Sequence, residues 1–170
     1  MKVLIMSDSH GLTHEISMIT DRHKQEVVTM IHCGDSELES KDPLMKGFLA
    51  VRGNCDYDAA YPDDVVEDIG GKRFFITHGH LFNIKMTLMN LSYKSEEIGA
   101  EIICFGHSHA AGSELIDGKL FINPGSIRQP RGRKEKTYAI LDIGSDQLEI
   151  IYYDLEGKIV EDLYRSYQID

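Results

Sequence analysis

Six times along this 170-residue chain, a short apolar run rich in β-branched and aromatic residues stops abruptly at a corner of Gly, Asp, Asn, Ser or His. KVLIM runs into SDSH, VVTMIH into CGD, FLAV into RGNCD, RFFIT into HGH, EIICF into GHSH, and LFI into NPGS. Near-continuous apolar runs of this length suit strands buried on both faces. The repetition confines the chain to layered α/β folds.

Helical patterns lie between some of the runs. Leu12, Ile16, Ile19 and His23 fall on one stripe behind Thr13, a candidate N-cap. Ile84, Leu88, Leu91 and Ile98 form a second stripe, with Gly99 at the C-terminal stop. A short helix is expected over 43–47. Strand-helix-strand alternation implies right-handed βαβ units. Segments 74–76, 120–122, 137–143 and 148–153 read instead as hairpin strands, with turns such as Asp117-Gly118 and Gly144-Ser145. The expected fold class is α/β: two mixed β-sheets stacked as a sandwich and flanked by helices.

The formal net charge is -10 and the sequence pI about 5.2. So acidic a chain has no general attraction for long nucleic acid or anionic membrane. No apolar run approaches membrane-spanning length, and the apolar segment before Ser7 is too short for a signal peptide. A cytoplasmic protein is expected, and a homo-oligomer is compatible with the sequence. Cys33, Cys55 and Cys104 show no CxxC spacing, which argues against a disulfide framework or a structural zinc knot.

In open α/β sheets, ligands bind outside the carboxyl ends of strands. The corners would place Asp8, His10, Asp35, Asn54, His78, His107 and His109 there. Singly, each suits a turn or a structural role. Jointly, they put four of the eight histidines in the same kind of place as two carboxylates. Mixed oxygen and nitrogen donors suit Mn, Fe, Co, Ni or Zn rather than Ca or Mg. Seven donors are too many for one open tetrahedral site and enough for two cations if a carboxylate bridges. Cations about 3.5–4 Å apart clamp the attacking and leaving oxygens of a phosphoryl displacement. In extended backbone, residues two apart point the same way, so Asp8 with His10 could reach one cation together, and the short His107-Ser108-His109 corner could serve both.

The ordered set D-x-H, G-D, G-N-x-D, H-G-H and G-H-x-H, from Ser7 to Ser126, resembles the calcineurin-like metallophosphoesterases, and most closely their small single-domain prokaryotic phosphodiesterase branch. The resemblance implies a four-layer αββα sandwich formed by residues 1–170 as one domain. It implies two divalent transition-metal ions, Mn foremost, with Ni, Co, Fe or Zn as alternatives. Asp8, His10 and His109 would hold one ion, Asn54, His78 and His107 the other, and Asp35 would bridge. Asn54 and His78 would also serve catalysis, and Asp56 would orient Asn54 or a ligating histidine. Asn54, His80 and Arg128 would contact substrate. Many members of the superfamily carry a histidine, which helps protonate the leaving group, where this chain has Cys55. A buried, inert Cys55 is expected, and Leu81 and Phe82 are expected in the core.

The function these residues imply is hydrolysis of small phosphate esters, foremost diesters, by in-line attack of a metal-bridging hydroxide. One rival is a catalytically silent scaffold, because a retromer subunit is similar to this branch; the complete ligand set favours an enzyme. A second is an aspartyl-phosphate phosphatase. That chemistry usually wants another Asp two residues after the first, where this chain has His10.

Overall fold

The computed structural model describes residues 1–169, so the last residue of the expected 1–170 domain lies outside the described residues. In chain order the elements are β1 (Lys2–Met6), α1 (His14–His23), β2 (Val27–His32), β3 (Phe48–Ala50), β4 (Asp64–Ile69), β5 (Lys72–Thr77), α2 (Met89–Ile98), β6 (Ile102–Cys104), β7 (Gly112–Ile116), β8 (Lys119–Asn123), β9 (Thr137–Ile143), β10 (Gln147–Asp154) and β11 (Arg165–Gln168).

Two mixed sheets form. One has six strands in the order β11-β10-β9-β1-β2-β3, the other five in the order β4-β5-β6-β8-β7. The apolar runs ahead of the polar corners make the parallel segments: β1 with β2 and β2 with β3 in one sheet, β5 with β6 and β6 with β8 in the other. Hairpins add the antiparallel strands.

Alternate residues of each strand serve different cores, as a two-residue period requires. Val3 and Ile5 face Phe74, Ile76, Ile102 and Cys104 in the cluster between the sheets. Leu4 and Met6 face the opposite way, onto Ile16 and Ile19 of α1. Phe75, Ile103 and Phe121 meet Leu91 and Ile98 of α2. The result is the four-layer arrangement, helix on sheet on sheet on helix. Among the described residues, no helix is long and apolar enough to cross a membrane.

Some local expectations shift. Thr13 occupies the N-cap of α1 but its side chain makes no capping hydrogen bond. The second stripe starts too early. Residues 80–82 form a 3-10 turn ended by Asn83 in left-handed backbone, and α2 begins only at Met89. The segment 43–47 makes one 3-10 turn, Pro43–Met45, rather than a helix. Strands β4 and β11 were not visible in the sequence because, unlike the edge strand β3, whose residues are half-buried, both are exposed sheet edges. Each is mostly exposed, so neither carries an apolar run.

Candidate metal centre

The carboxyl ends of β1 and β2 in one sheet meet those of β5 and β6 in the other. Hydrogen bonds sew the corners together: Asp8 N donates to Gly34 O (3.0 Å), His10 N to Asp35 O (2.9 Å), and Gly106 N to His78 O (3.0 Å). Across the sheets, His107 N donates to Asp8 Oδ2 at 3.1 Å. Close approach requires glycine at two points. A Cβ on Gly53 would lie 2.0 Å from Asp35 Oδ1, and one on Gly106 would lie 2.1 Å from Ser7 Oγ.

Five of the seven expected ligands sit in left-handed backbone: Asp8 (φ 55°), His10 (42°), Asp35 (57°), His107 (67°) and His109 (59°). This region costs a non-glycine residue about 1–2 kcal/mol, and such strain persists where the surroundings over-determine it, often at functional sites.

The side chains converge. Asp8 is fully buried, and its Oδ1 has no hydrogen-bond partner. That oxygen instead faces three imidazole nitrogens: His109 Nε2 at 3.1 Å, His10 Nε2 at 3.7 Å and His78 Nε2 at 3.8 Å. Asp8 Oδ2 is held by Ser7 Oγ at 2.6 Å. Asp35 Oδ2 lies 3.1 Å from His78 Nε2 and 4.0 Å from His10 Nε2. His10 Nε2 and His109 Nε2 are 3.2 Å apart, and Asn54 Oδ1 is 3.0 Å from His78 Nε2.

The far ring nitrogens explain this orientation. His78 Nδ1 is 2.7 Å from Cys33 O, and His109 Nδ1 is 2.7 Å from Gln129 O. A carbonyl only accepts, so Nδ1 carries a proton and Nε2 is the nitrogen turned inward. Glu37 Oε1, 2.8 Å from His10 Nδ1, orients the third ring. Metal-ligating histidines are held in this way. A buried carboxylate oxygen with no well-aligned hydrogen bond, ringed by inward-facing ring nitrogens, is costly alone and fits a divalent cation. Three compact donor sets occur, each with ligand atoms within 4.8 Å of one another: Asp8, His10 and His109; Asp8, Asp35 and His78; His10, Asp35 and Cys55. His107 stands one ring further out, its centroid 5.1 Å from that of His78.

The charges are mutually arranged. Burial alone would raise Asp8 and Asp35, but neighbouring imidazoles, His109 and His78 for Asp8 and His78 for Asp35, hold both below the usual carboxylate range. His78 is pulled down by burial yet ends raised, because Asp35 and Asp8 favour its cation. Asp8 likewise raises His109. His107 falls to about 4 through burial and the nearby His78 and Lys85 charges.

The remaining expected residues divide. Among the described residues, Asp56 makes no hydrogen bond to Asn54 or to a candidate ligand ring. Its buried carboxylate accepts from Asp35 N (2.8 Å), Glu37 N (2.8 Å) and Gly53 N (2.7 Å), so it shapes the loop that carries Asp35. Cys55 is half-buried rather than buried, because its corner faces a recess lined by Glu37, Arg52, Asn54, Asp56 and Tyr57. Burial, Asp35 and Glu37 push its thiol up to about 11. His80 lies beside the cluster, 5.3 Å from the His78 ring, with a buried and unpartnered Nδ1. Arg128 is exposed at the rim and donates to the His10 carbonyl. Leu81 is 60% exposed, not core, since the 3-10 turn swings it outward. A second recess, about 270 Å³, is lined by Ile84, Leu88, Phe105, Phe121 and Ser108, the last of these between His107 and His109.

Ser7, Glu37 and His32 were missed. His32 is wholly buried and bridges Ser9 Oγ (2.9 Å) and Gly34 N (3.2 Å). Glu37 follows Asp35 by two residues, a spacing that flagged Asp8-His10 and could have flagged this pair.

Known proteins resemble this chain in sequence and in fold. Residues 1–146 match the calcineurin-like phosphoesterase superfamily domain. A probable metallophosphoesterase of Bacillus subtilis, YsnB, is 52% identical over 96% of both chains. The crystal structure of a conserved protein of Streptococcus pneumoniae, a predicted phosphoesterase, superposes with a TM-score of 0.95 at 35% identity, covering 99% of this chain and 97% of that one. Vps29 of Entamoeba histolytica, crystallised with zinc, shares the fold at a TM-score of 0.77 and 21% identity, covering 100% and 99%.

Proposed function

From the premise that the chain belongs to the calcineurin-like phosphoesterase superfamily, and so is a metal-dependent hydrolase of phosphoric esters, we propose that it is a phosphodiesterase acting on small diesters with two divalent transition-metal ions. Asp8, His10 and His109 would hold one ion; Asn54, His78 and His107 the other; and Asp35, whose Oδ2 approaches both His78 and His10, would lie between. Manganese is the first candidate, with nickel, cobalt, iron and zinc behind it. When bound, the ions would supply a nucleophile at neutral pH and neutralise charge on the phosphoryl oxygens.

The carrying observation is Asp8 Oδ1, buried, unpaired and encircled by three imidazole nitrogens. The chain's own groups prepare that arrangement. Ser7 and the His107 amide occupy Asp8 Oδ2, so Oδ1 aims inward. Asp56 fixes the backbone of Asp35, and Glu37 fixes His10. Arg128, exposed at the rim, would supply a donor for phosphoryl oxygens, and His80 lies beside the cluster as a further substrate contact. Cys55, whose thiol is held up to about 11 in the metal-free chain, offers no strong proton donor at neutral pH. The leaving oxygen therefore departs without strong acid help, which favours leaving groups of low pKa. The two recesses, one by Cys55 and one by Ser108, suit the two ester arms of a diester.

The test is chelation, then reconstitution with Mn, Ni, Co or Zn, assayed on a bis-aryl diester, an aryl monoester and a cyclic nucleotide. Activity is expected to vanish on chelation, return with metal, and be greatest on the bis-aryl diester. Inactivity with every saturating metal would favour the scaffold reading instead.

A further inference from the structure

Cys55 has surroundings that an inert thiol does not need. Its Sγ belongs to a compact set with donor atoms of His10 and Asp35, all within 4.8 Å. Its own N–H donates to Asp35 Oδ1 at 2.8 Å, which ties the residue to that carboxylate. Asn54 Nδ2 donates to Sγ at 3.5 Å, orienting the sulfur. Both partners in the set are positioned independently of the thiol: His10 by Glu37, and Asp35 by Asp56. Cys33 and Cys104, by contrast, are 0% exposed and pack in the apolar core between the sheets.

We propose that the Cys55 sulfur is an additional, soft ligand to the divalent cation held at His10 and Asp35, raising this centre's affinity for thiophilic cations such as zinc, cobalt and cadmium relative to what its oxygen and nitrogen donors alone would give. The inference rests on the proposed metal centre and extends it. On binding, the S–H bond breaks, its proton passes to solvent, and the sulfur's electron pair goes to the cation; no oxidant or reductant takes part. A coordinated thiol is held deprotonated by the ion's charge. Thiolate selects softer ions, whereas carboxylate and water suit manganese. A serine here would keep a polar hydrogen-bonding group of similar size and lose only the softness.

The experiment is titration of the metal-free, full-length protein with Co(II), followed by absorbance, for wild type, Cys55→Ser and Cys55→Ala. Circular dichroism checks that the variants fold. Wild type should show a near-ultraviolet sulfur-to-cobalt charge-transfer band beside visible ligand-field bands. Both variants should keep the visible bands and lose the near-ultraviolet one. Competition between zinc and manganese should show wild-type selectivity for zinc falling in Cys55→Ser by at least the roughly 10–100-fold that loss of an outer-shell partner costs. Visible bands without a charge-transfer band in wild type would overturn the proposal and leave the metal centre standing. Absence of cobalt bands of any kind would overturn both.

Discussion

Two histidine–carboxylate clusters in this molecule use similar residues to opposite ends. At the C-terminus of α1, His23 Nε2 is 2.7 Å from Tyr138 Oη, and its Nδ1 is 2.5 Å from Glu26 Oε1. Arg22 donates to the same hydroxyl at 3.0 Å, and Lys2 donates to Glu26 at 3.0 Å. The Tyr138 ring stacks on Tyr153, with centroids 5.5 Å apart. His23 sits in ordinary helical backbone. Each of these groups satisfies another, so the cluster pins α1 to its sheet and has nothing left to offer a ligand. The cluster at the strand ends differs. Five of its seven candidate ligands sit in left-handed backbone, its ring nitrogens face each other, and Asp8 Oδ1 has no well-aligned hydrogen bond. Residue type does not separate a structural histidine from a functional one. What separates them is whether the polar groups complete one another.

The largest effect should come from Asp35→Asn. It removes the carboxylate oxygen that approaches both His78 and His10. Metal content by elemental analysis should fall, and kcat/KM should drop by more than the roughly 10–100-fold expected for an outer-shell change. Near-normal occupancy would break the assignment of Asp35 as the shared ligand.

Next in size is a pH effect within the strained region. Gly34 N donates to His32 Nδ1, so the ring needs its neutral form, and burial lowers it to about 4. The unfolded chain takes up that proton from about pH 6.5 downward. Stability of the metal-free protein should therefore fall as pH drops from 6.5 towards 4, by up to about 3 kcal/mol. His107, lowered to about 4, and His80, also lowered, add to the fall in the same window, which is why the variant comparison is needed; two other pairs act mainly outside it. Asp8 and Asp35 contribute above the unfolded carboxylate pKa and lose that contribution at lower pH. His78 and His109, both raised, contribute below about 6.5 and lose that contribution at higher pH. Thermal melts at pH 7 and 5 for wild type and His32→Phe read the difference. An unchanged slope in the variant would remove His32 as its source.

The smallest effect sharpens the contrast from the other side. Tyr138→Phe leaves His23 Nε2 and Arg22 short of one partner and should cost about 1–2 kcal/mol in urea unfolding, with kcat/KM unchanged. A loss of activity would mean that the two clusters are not independent.

Much of this was legible beforehand. Buried strands advertise themselves through unbroken apolar runs, so β1, β2, β5, β6 and β8 read directly from KVLIM, VVTMIH, RFFIT, EIICF and LFI. The corners after them carry chemistry in fixed order, so the ligand candidates were also visible. Edge strands β4 and β11 were not, because an exposed edge imposes little apolar pattern. Nor was the service of Asp56 to three backbone amides, since its partners at 35 and 37 lie about twenty residues away.

The sequence by itself determined which donor atoms exist and that each follows an apolar run, because strand burial and turn chemistry act over a few residues. Only the tertiary structure decided which ring nitrogen faces inward and which carboxylate oxygen goes unpaired. Those choices are made by groups such as the His107 amide on Asp8 and the Cys33 carbonyl under His78, which the fold brings into contact from distant parts of the chain.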